Sequence, residues 1–403
     1  MDTPRDSTST SRASGVASNS GAGAWDGLTG QADAIAIIDA AAAASRIGGV
    51  SDSAMTHSWL ITGPPGSGRS NLAYAFAAAL LGDDEGTRRQ VAARTHPDLG
   101  ALSTDRVIIS IEEVRQLVAT SQFSPSVGRY RVMVIEDADR MSERTSNVLL
   151  KALEEPPPRT VWVLCAPSEA DLIPTIRSRV RAVRLRMPTI QEVAELLERR
   201  DGVDEALAAR AAREAQSHIG MAHRLATSAG ARDRREKTLA IALGVRTVSD
   251  AVLAAAILLE LAKADAEAIT QQRDAEERDA ALRSLGIDAG ASVPAALRSQ
   301  LRNLEDDQKR RATRSLRDGI DRILVDLLSL YRDILLRQLN VPGELINLRI
   351  VDELDRAARA ASAVTTLATM DAIAIARRRI ESNVAPALAL EAMLITACRK
   401  EIA

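Results

Sequence analysis

Aromatic side chains are almost missing from this chain, which has three Trp, three Tyr and two Phe among 403 residues. Its cores must therefore be built from Leu, Ile, Val and Ala, a set that favours helices. Cysteine is as scarce: Cys165 and Cys398 cannot form a disulfide framework and have no zinc-ligand spacing. There is no uninterrupted apolar run long enough to cross a bilayer, and Met1-Asp-Thr-Pro-Arg5 opens without the apolar core of a signal peptide. Both absences predict a cytoplasmic protein with no membrane partner. A formal net charge of −2 excludes a globally basic nucleic-acid coat. What remains is an ordinary soluble composition, 46% hydrophobic and 26% charged, long enough for two or three domains. Arginine far outnumbers lysine and alanine is abundant, as a GC-rich genome would produce.

Residues 1–24 are Ser, Thr, Gly and Ala with hardly an apolar anchor and are predicted to be disordered. A helix follows within Trp25–Ile47, with Ile35, Ile37, Ile38 and Ala42 on its apolar face and Gly48-Gly49 ending it. From Trp59 to Leu185 strands alternate with helices. The predicted strands are Trp59–Ile61, Val107–Ile109, Val132–Ile135, Val161–Leu164 and Val183–Leu185. Their near-continuous apolar character indicates a parallel sheet covered on both faces. Ser142 caps a helix that buries Val148, Leu149, Ala152 and Leu153 and stops at Pro156-Pro-Pro158. After Pro188 the strand signal disappears. Short helical patterns over 189–228 suit a small lid, and 235–403 is helical in pattern, broken at Gly286–Pro294 and Val341-Pro-Gly343. Its strongest helix, Leu304–Leu339, sets Leu316, Ile320, Ile323, Leu324, Leu327, Tyr331, Ile334 and Leu335 on one face. The run Asp306, Asp307, Lys309, Arg310, Arg311 in its opening turns reads as a solvated face. The predicted architecture is an α/β domain at 25–187, a helical lid at 188–234 and an all-α domain at 235–403.

Gly63-Pro-Pro-Gly-Ser-Gly-Arg-Ser70 lies between a strand and the helix Asn71–Leu81. It has the form of a phosphate-binding loop, G-x-x-x-x-G-K-[ST], with arginine at the lysine position. Gly63, Gly66 and Gly68 let the backbone turn tightly through Ser67 and aim N–H groups at a polyphosphate, and the helix N-terminus adds its dipole. Ser70 supplies the hydroxyl suited to Mg²⁺. Arg69 is planar and bulky where lysine is compact, so the exchange is not conservative at a crowded site.

The strand Val132–Ile135 runs into Glu136-Asp137-Ala138-Asp139. An ATPase places here an Asp that holds Mg²⁺ and then a Glu that polarises the attacking water. This chain has the reverse order. A shorter second side chain withdraws the base, a longer first one crowds the metal, and attack geometry is sensitive at about the ångström scale. A strand-end acidic turn with no role is the plain alternative. At the end of the next strand Ala166 stands where a polar sensor of the terminal phosphate is expected, and Ser168 substitutes only if the strand end is displaced. Pro174-Thr-Ile-Arg-Ser-Arg-Val180 presents Arg177 and Arg179 at a surface turn. A guanidinium there acts as an arginine finger on a neighbour's γ-phosphate, the preferred reading for Arg179, or sits in a surface salt bridge, the preferred reading for Arg177. Gly220-Met-Ala-His-Arg224 places Arg224 where a second-sensor arginine approaches nucleotide, while His218 and His223 read as helix-surface residues.

This order of motifs resembles the bacterial clamp-loader branch of the AAA+ ATPases, and within it the delta-prime subunit family in its actinobacterial form. Carrying the resemblance are Trp25-Asp-Gly-Leu-Thr-Gly-Gln31, His57-Ser-Trp-Leu-Ile-Thr-Gly63, Thr95-His-Pro-Asp-Leu99, Ser146-Asn-Val-Leu-Leu-Lys-Ala-Leu-Glu-Glu-Pro-Pro157 and Ile173-Pro-Thr-Ile-Arg-Ser-Arg179. Gln308-Lys-Arg-Arg311, Tyr331-Arg-Asp333 and Asn383 through Ala392 extend it toward the C-terminus. The run ending in LLKALEEPP is specific to clamp loaders; the phosphate loop is not. The resemblance implies a RecA-like AAA+ domain, a lid and an oligomerising collar, within a five-subunit ring that opens a sliding clamp and places it on primer-template DNA. Partners would be the gamma/tau and delta subunits, through collar and AAA+ domains, in the DNA polymerase III holoenzyme. It further implies a stator with little or no intrinsic ATPase that lends Arg179 to a neighbouring motor site, in a Ser-Arg-Val variant of the usual Ser-Arg-Cys. Members usually carry four zinc-binding cysteines after the phosphate-loop helix. Gly82–Thr95 has none, so no zinc is expected and that loop should be remodelled.

Arg69 and the degenerate Glu136-Asp137 pair point away from efficient hydrolysis without removing ATP or ADP binding, because the loop amides and Ser70 remain. The alternative is an ATP-hydrolysing gamma/tau-like motor of the same ring. An independent helicase or branch-migration motor would keep lysine and Asp-Glu and need a DNA-reading module, and a pure scaffold would bind no nucleotide. Helix N-termini near Ser110 and Ser142 are the expected DNA-phosphate contacts.

Overall fold

The structure, a computed structural model, describes Trp25 and residues 28–47, 55–82, 84–104, 108–284 and 298–398; for residues 47, 269, 271–284, 298–307, 310 and 311 it describes the backbone alone. The expected tail 1–24, the helix stop Gly48-Gly49, Val107, the break Gly286–Pro294 and the side chains of Asp306, Asp307, Arg310 and Arg311 lie outside the described residues.

The α/β part runs α1 (Ala32–Ile47), β1 (Ser58–Thr62), α2 (Arg69–Leu81), α3 (Glu85–Ala92), β2 (Leu99–Leu102), α4 (Ile111–Ser121), β3 (Arg131–Ile135), α5 (Glu143–Glu154), β4 (Thr160–Ala166), α6 (Pro174–Arg177) and β5 (Arg181–Arg184). The five strands are parallel and ordered β2-β3-β4-β1-β5. Strands β1, β3 and β4 are buried at every position, so each face needs an apolar cover. On one face Ile38, Leu72 and Phe76 join Trp59, whose ring meets Phe76 edge-on at 5.4 Å. On the other Val114, Leu149 and Leu153 pack with Met133, Trp162 and Leu164. This is the predicted parallel sheet with helices on both faces.

Two sequence expectations need correction. Val107–Ile109 forms no strand among its described residues, since Ile109 makes only an isolated bridge to Met141. The edge position is taken by β2, too short and glycine-containing to stand out in the sequence. Gly100 there lies so close to Met133 that a β-carbon would fall 2.2 Å from its terminal methyl. In α1, Ile37 is 37% exposed while Ala34, Ile38, Ala41 and Ala42 are buried, which is the spacing a 3.6-residue turn demands. The segment Gly82–Thr95 holds the short helix α3, capped by the Asp84 carboxylate, which accepts from the Thr87 amide.

Beyond the sheet, α7 (Ile190–Asp201), α8 (Glu205–Glu214) and α9 (Ile219–Thr227) share a separate core of Val193, Leu196, Leu197, Ala212 and Leu225. Then follow α10 (Ala229–Gly244), α11 (Val248–Ser284), α12 (Arg298–Leu339), α13 (Val351–Ala360), α14 (Ala363–Glu381) and α15 (Pro386–Cys398). Ile320, Leu324 and Leu327 of α12 are buried against Leu258, Ile373 and Leu390, as the apolar stripe predicts. Among the described residues no helix is long and apolar enough to cross a membrane.

A buried carboxylate fixes the turn leading into β3. Asp98 accepts the amides of Ser126 (2.6 Å), Val127 (2.8 Å) and Gly128 (2.8 Å) and the Ser126 hydroxyl, and it pairs with buried Arg131 at 3.1 Å. Burial alone would raise its pKa, but the hydrogen bonds outweigh it and bring the group down to about 2. The stability this adds is present above the usual carboxylate value of about 3.9 and is lost as pH falls toward about 2. Asp98→Ala should cost about 3–5 kcal/mol by stranding Arg131. Asp98→Asn should flatten the loss of stability on acidification; identical acid-unfolding curves for the Asp98→Asn variant and the wild-type protein would contradict this account.

Candidate functional site

Behind β1 the chain turns through Gly66 (φ 83°) and Gly68 (φ 93°), left-handed positions that favour glycine. α2 then begins at Arg69 with no side-chain cap, leaving its first amides open to an anion. The Ser67 amide is turned back onto the Pro64 carbonyl at 3.1 Å, and the Gly63 amide donates to the Pro167 carbonyl at 3.2 Å. The Arg69 Nη1 and Ser67 Oγ atoms are buried without a hydrogen-bond partner.

The start of α9 packs on this loop. The His218 ring packs against Gly66, where a β-carbon would fall 2.4 Å from its Cγ, and the Ile219 amide donates to the Gly66 carbonyl at 3.4 Å. His218 Nδ1 caps α9 by accepting from the Met221 amide, and burial lowers the imidazole pKa. The expectation of a helix-surface His218 is therefore wrong, because the burial comes from a tertiary contact that local sequence does not encode. His223 is exposed as expected and pairs with Asp201 at 2.7 Å.

Glu136, the residue after β3, collects three donors: the Ser70 hydroxyl at 2.7 Å, the Tyr74 hydroxyl at 2.8 Å and an Arg94 Nη2 at 2.7 Å. Burial first, and then the Glu136 charge, push the Tyr74 pKa up. Arg94 sits in the left-handed region (φ 57°) with its guanidinium 5.2 Å above the Tyr74 ring. Tyr74 and Arg94 escaped the sequence reading. The available signal for Tyr74 was its position one helical turn after Ser70; Arg94 had none. Asp137 is also left-handed (φ 51°). Its carboxylate faces Arg140 at 3.7 Å and Arg314 of α12 at 3.4 Å. Arg314 donates to the Thr104 carbonyl as well. Burial raises the Asp139 pKa. Ala166 is fully buried, and the Ser168 hydroxyl is engaged in accepting from the Ala170 amide at 3.2 Å.

At the far edge Arg179 is tied into its own subunit. Its Nε donates to Glu154 at 2.6 Å with Nη2 on the same oxygen, and Nη1 donates to the Thr175 carbonyl (2.7 Å) and the Ser178 hydroxyl (3.1 Å). The salt bridge expected at Arg177 thus falls on Arg179, while Arg177 is exposed. Arg224 does not meet the loop in the contacts it makes. Both of its terminal nitrogens donate to Asp265 of α11, joined there by Arg234 at 2.7 Å and Arg322 at 2.8 Å. Ser110 and Ser142 cap α4 and α5, and Glu112, Glu113 and Glu143 in those first turns oppose an incoming phosphate. Among the described residues no His, Cys, Asp and Glu cluster is arranged to hold a metal.

Comparison with known proteins agrees with the motif reading over one segment. Residues 46–189 match the family model described as DNA polymerase III, delta subunit. The chain is 34% identical over 146 residues to DNA polymerase III subunit delta' of Pseudomonas aeruginosa, covering 34% of this chain and 44% of that protein. It is 31% identical over 160 residues to subunit delta' of Haemophilus influenzae, covering 37% and 48%. It is also similar to DNA polymerase III subunit gamma of Buchnera aphidicola, 28% identical over 151 residues and covering 35% and 41%. The chain spans about half the length of the curated relatives it matches. Over that segment the resemblance to clamp-loader delta-prime subunits is borne out.

Asp265 of α11 is where α9, α10 and α12 meet through their arginines. Burial would raise its pKa, but the arginines prevail and lower it. Asp265→Ala leaves Arg224, Arg234 and Arg322 facing one another and should cost about 3 kcal/mol. Hydrogen exchange should show α9 and α10 losing protection while the sheet keeps its own, whereas a uniform change would mean that Asp265 is not the joint.

Proposed function

We propose that this chain is a delta-prime-like stator subunit of the replicative clamp loader, a cytoplasmic component of the DNA polymerase III holoenzyme. In this reading it works through partners: gamma/tau and delta subunits at its collar and AAA+ domain, the sliding clamp, and primer-template DNA within the ring. The domain limits 25–187, 188–234 and 235–403 belong to the proposal. The observation that carries it is the Ser70–Glu136 hydrogen bond, which engages the loop hydroxyl suited to Mg²⁺ with the first acid of the second motif.

The loop residues fit an anion better than they fit a metal. A bound ATP or ADP supplies a polyphosphate that the α2 amides, Arg69 Nη1 and the Ser67 hydroxyl are free to meet. Gly63, Gly66, Gly68 and Ser70 complete that cradle. Against this stand Ser70, already donating to Glu136, and His218, seated on Gly66. With Asp137 turned to Arg140 and Arg314, the acid expected to polarise a water is already engaged. Arg224 is held by Asp265, so its approach to nucleotide would require the lid–collar joint to open. Arg179 lies on the surface at the sheet edge, from which a guanidinium reaches an adjoining subunit. The motor reading draws support from the match to subunit gamma and from the unpaired Arg69 Nη1.

Equilibrium titration should show ATP binding that chelation of Mg²⁺ changes little, and Glu136→Ala should make binding Mg²⁺-dependent by releasing Ser70. Absence of any binding would favour the scaffold, and tight Mg²⁺-dependent binding with turnover would favour the motor. In the assembled ring, Arg179→Ala should lower hydrolysis at the adjoining site by about 10³-fold with assembly intact. Unchanged turnover would remove the finger assignment.

A further inference from the structure

We infer that Glu154 is a parking site for Arg179, holding the guanidinium on its own subunit until a triphosphate in the neighbouring site displaces it. The inference rests on the finger reading of Arg179. A guanidinium has five N–H donors, and here Nε, Nη1 and Nη2 are all engaged, on Glu154, the Thr175 carbonyl and the Ser178 hydroxyl. Both paired edges that grip a phosphate are therefore in use, and a bidentate contact to phosphate requires some of these bonds to break.

The contacts differ in kind. Thr175 and Ser178 belong to the same turn as Arg179, and the Ser178 hydroxyl itself donates to the Thr175 carbonyl at 3.1 Å, so these partners travel with the finger. Glu154 comes from a separate element. It is the last residue of α5, whose Leu149 and Leu153 are fixed in the core beneath the sheet. Releasing Arg179 toward a neighbour means breaking that one tie.

The strength of the tie suits a releasable latch. The side chains are 33% exposed at Arg179 and 44% at Glu154, so solvent screens the pair. Such a pair shifts the population of the extended finger by a factor of about two to five, within reach of a competing triphosphate.

The test uses the full chain assembled with its ATP-hydrolysing neighbours, the ring's other sites disabled, and measures hydrolysis against ATP concentration. Glu154→Gln should lower KM for ATP about two- to five-fold with kcat unchanged. Glu154→Asp, which keeps the charge, should stay near wild type. Glu155→Gln makes the same charge change beside the pair and should leave KM unaltered. In the Arg179→Ala background, Glu154→Gln should have no effect. If Arg179→Ala lowers turnover but Glu154→Gln leaves KM unmoved, parking is wrong and the finger stands. A fall in kcat for Glu154→Gln also overturns parking, because Glu154 would then be holding the finger in its working position. If Arg179→Ala changes nothing, the finger reading fails first.

Discussion

Strands β1, β3 and β4 are buried at every position, so the middle of the sheet has no face on which to solvate a charge. Ionisable groups are driven to the strand ends, and the candidate site lies there for that reason. The phosphate loop leaves the end of β1, Glu136 and Asp137 leave the end of β3, and Ala166 closes β4. A parallel arrangement puts these three ends side by side, which is why open α/β sheets bind ligands beyond their carboxyl edge. The apolar cover that makes the sheet possible also sets the low dielectric in which Glu136 finds its donors.

At that edge the reversal of the two acids has a structural consequence. The longer Glu136 spans the space to α2 and takes the Ser70 and Tyr74 hydroxyls together with Arg94. Hydrogen bonds to a charged acceptor are each worth about 1.5–3 kcal/mol, so a metal ion claiming Ser70 competes with a satisfied network. Asp137 takes the opposite course. Its left-handed backbone turns the short side chain toward Arg140 and Arg314 of α12. Asp137 thus ties the end of β3 to α12.

Much of this was legible in the sequence. Apolar runs gave three strands almost to the residue, Ser142 gave its helix cap, and the periodicity of Ile320, Leu324 and Leu327 gave the buried stripe of α12. Strand β2 was not legible, because a four-residue edge strand containing Gly100 carries too little pattern to outweigh the apolar Val107–Ile109 nearby. In the site, the loop and the acidic pair could be read from spacing. Their partners could not: Arg94 lies 42 residues from Glu136, and Arg314 lies 177 from Asp137. His218 was misplaced for the same reason, since its burial against Gly66 depends on how α9 packs on the loop.

Arginine carries the charge at each of these joints. Arg131 fills the sheet's buried pair with Asp98, three arginines from α9, α10 and α12 converge on Asp265 of α11, Arg314 links α12 to Asp137, and Arg179 meets Glu154 at the sheet edge. The planar guanidinium suits this use because its donors match a carboxylate in a fixed fork. Arg69 stands apart, since its Nη1 is buried and makes no hydrogen bond. A buried donor left unmade costs about 1–3 kcal/mol, more for a charged group, and the other joints show what relieves that cost: an anion. An anion beside Arg69 Nη1 would relieve that cost, while the Ser70 hydroxyl is already engaged by Glu136. Binding an anion and holding a metal are separable demands, and in this chain Arg69 Nη1 is left without a hydrogen bond while the Ser70 hydroxyl is tied to Glu136.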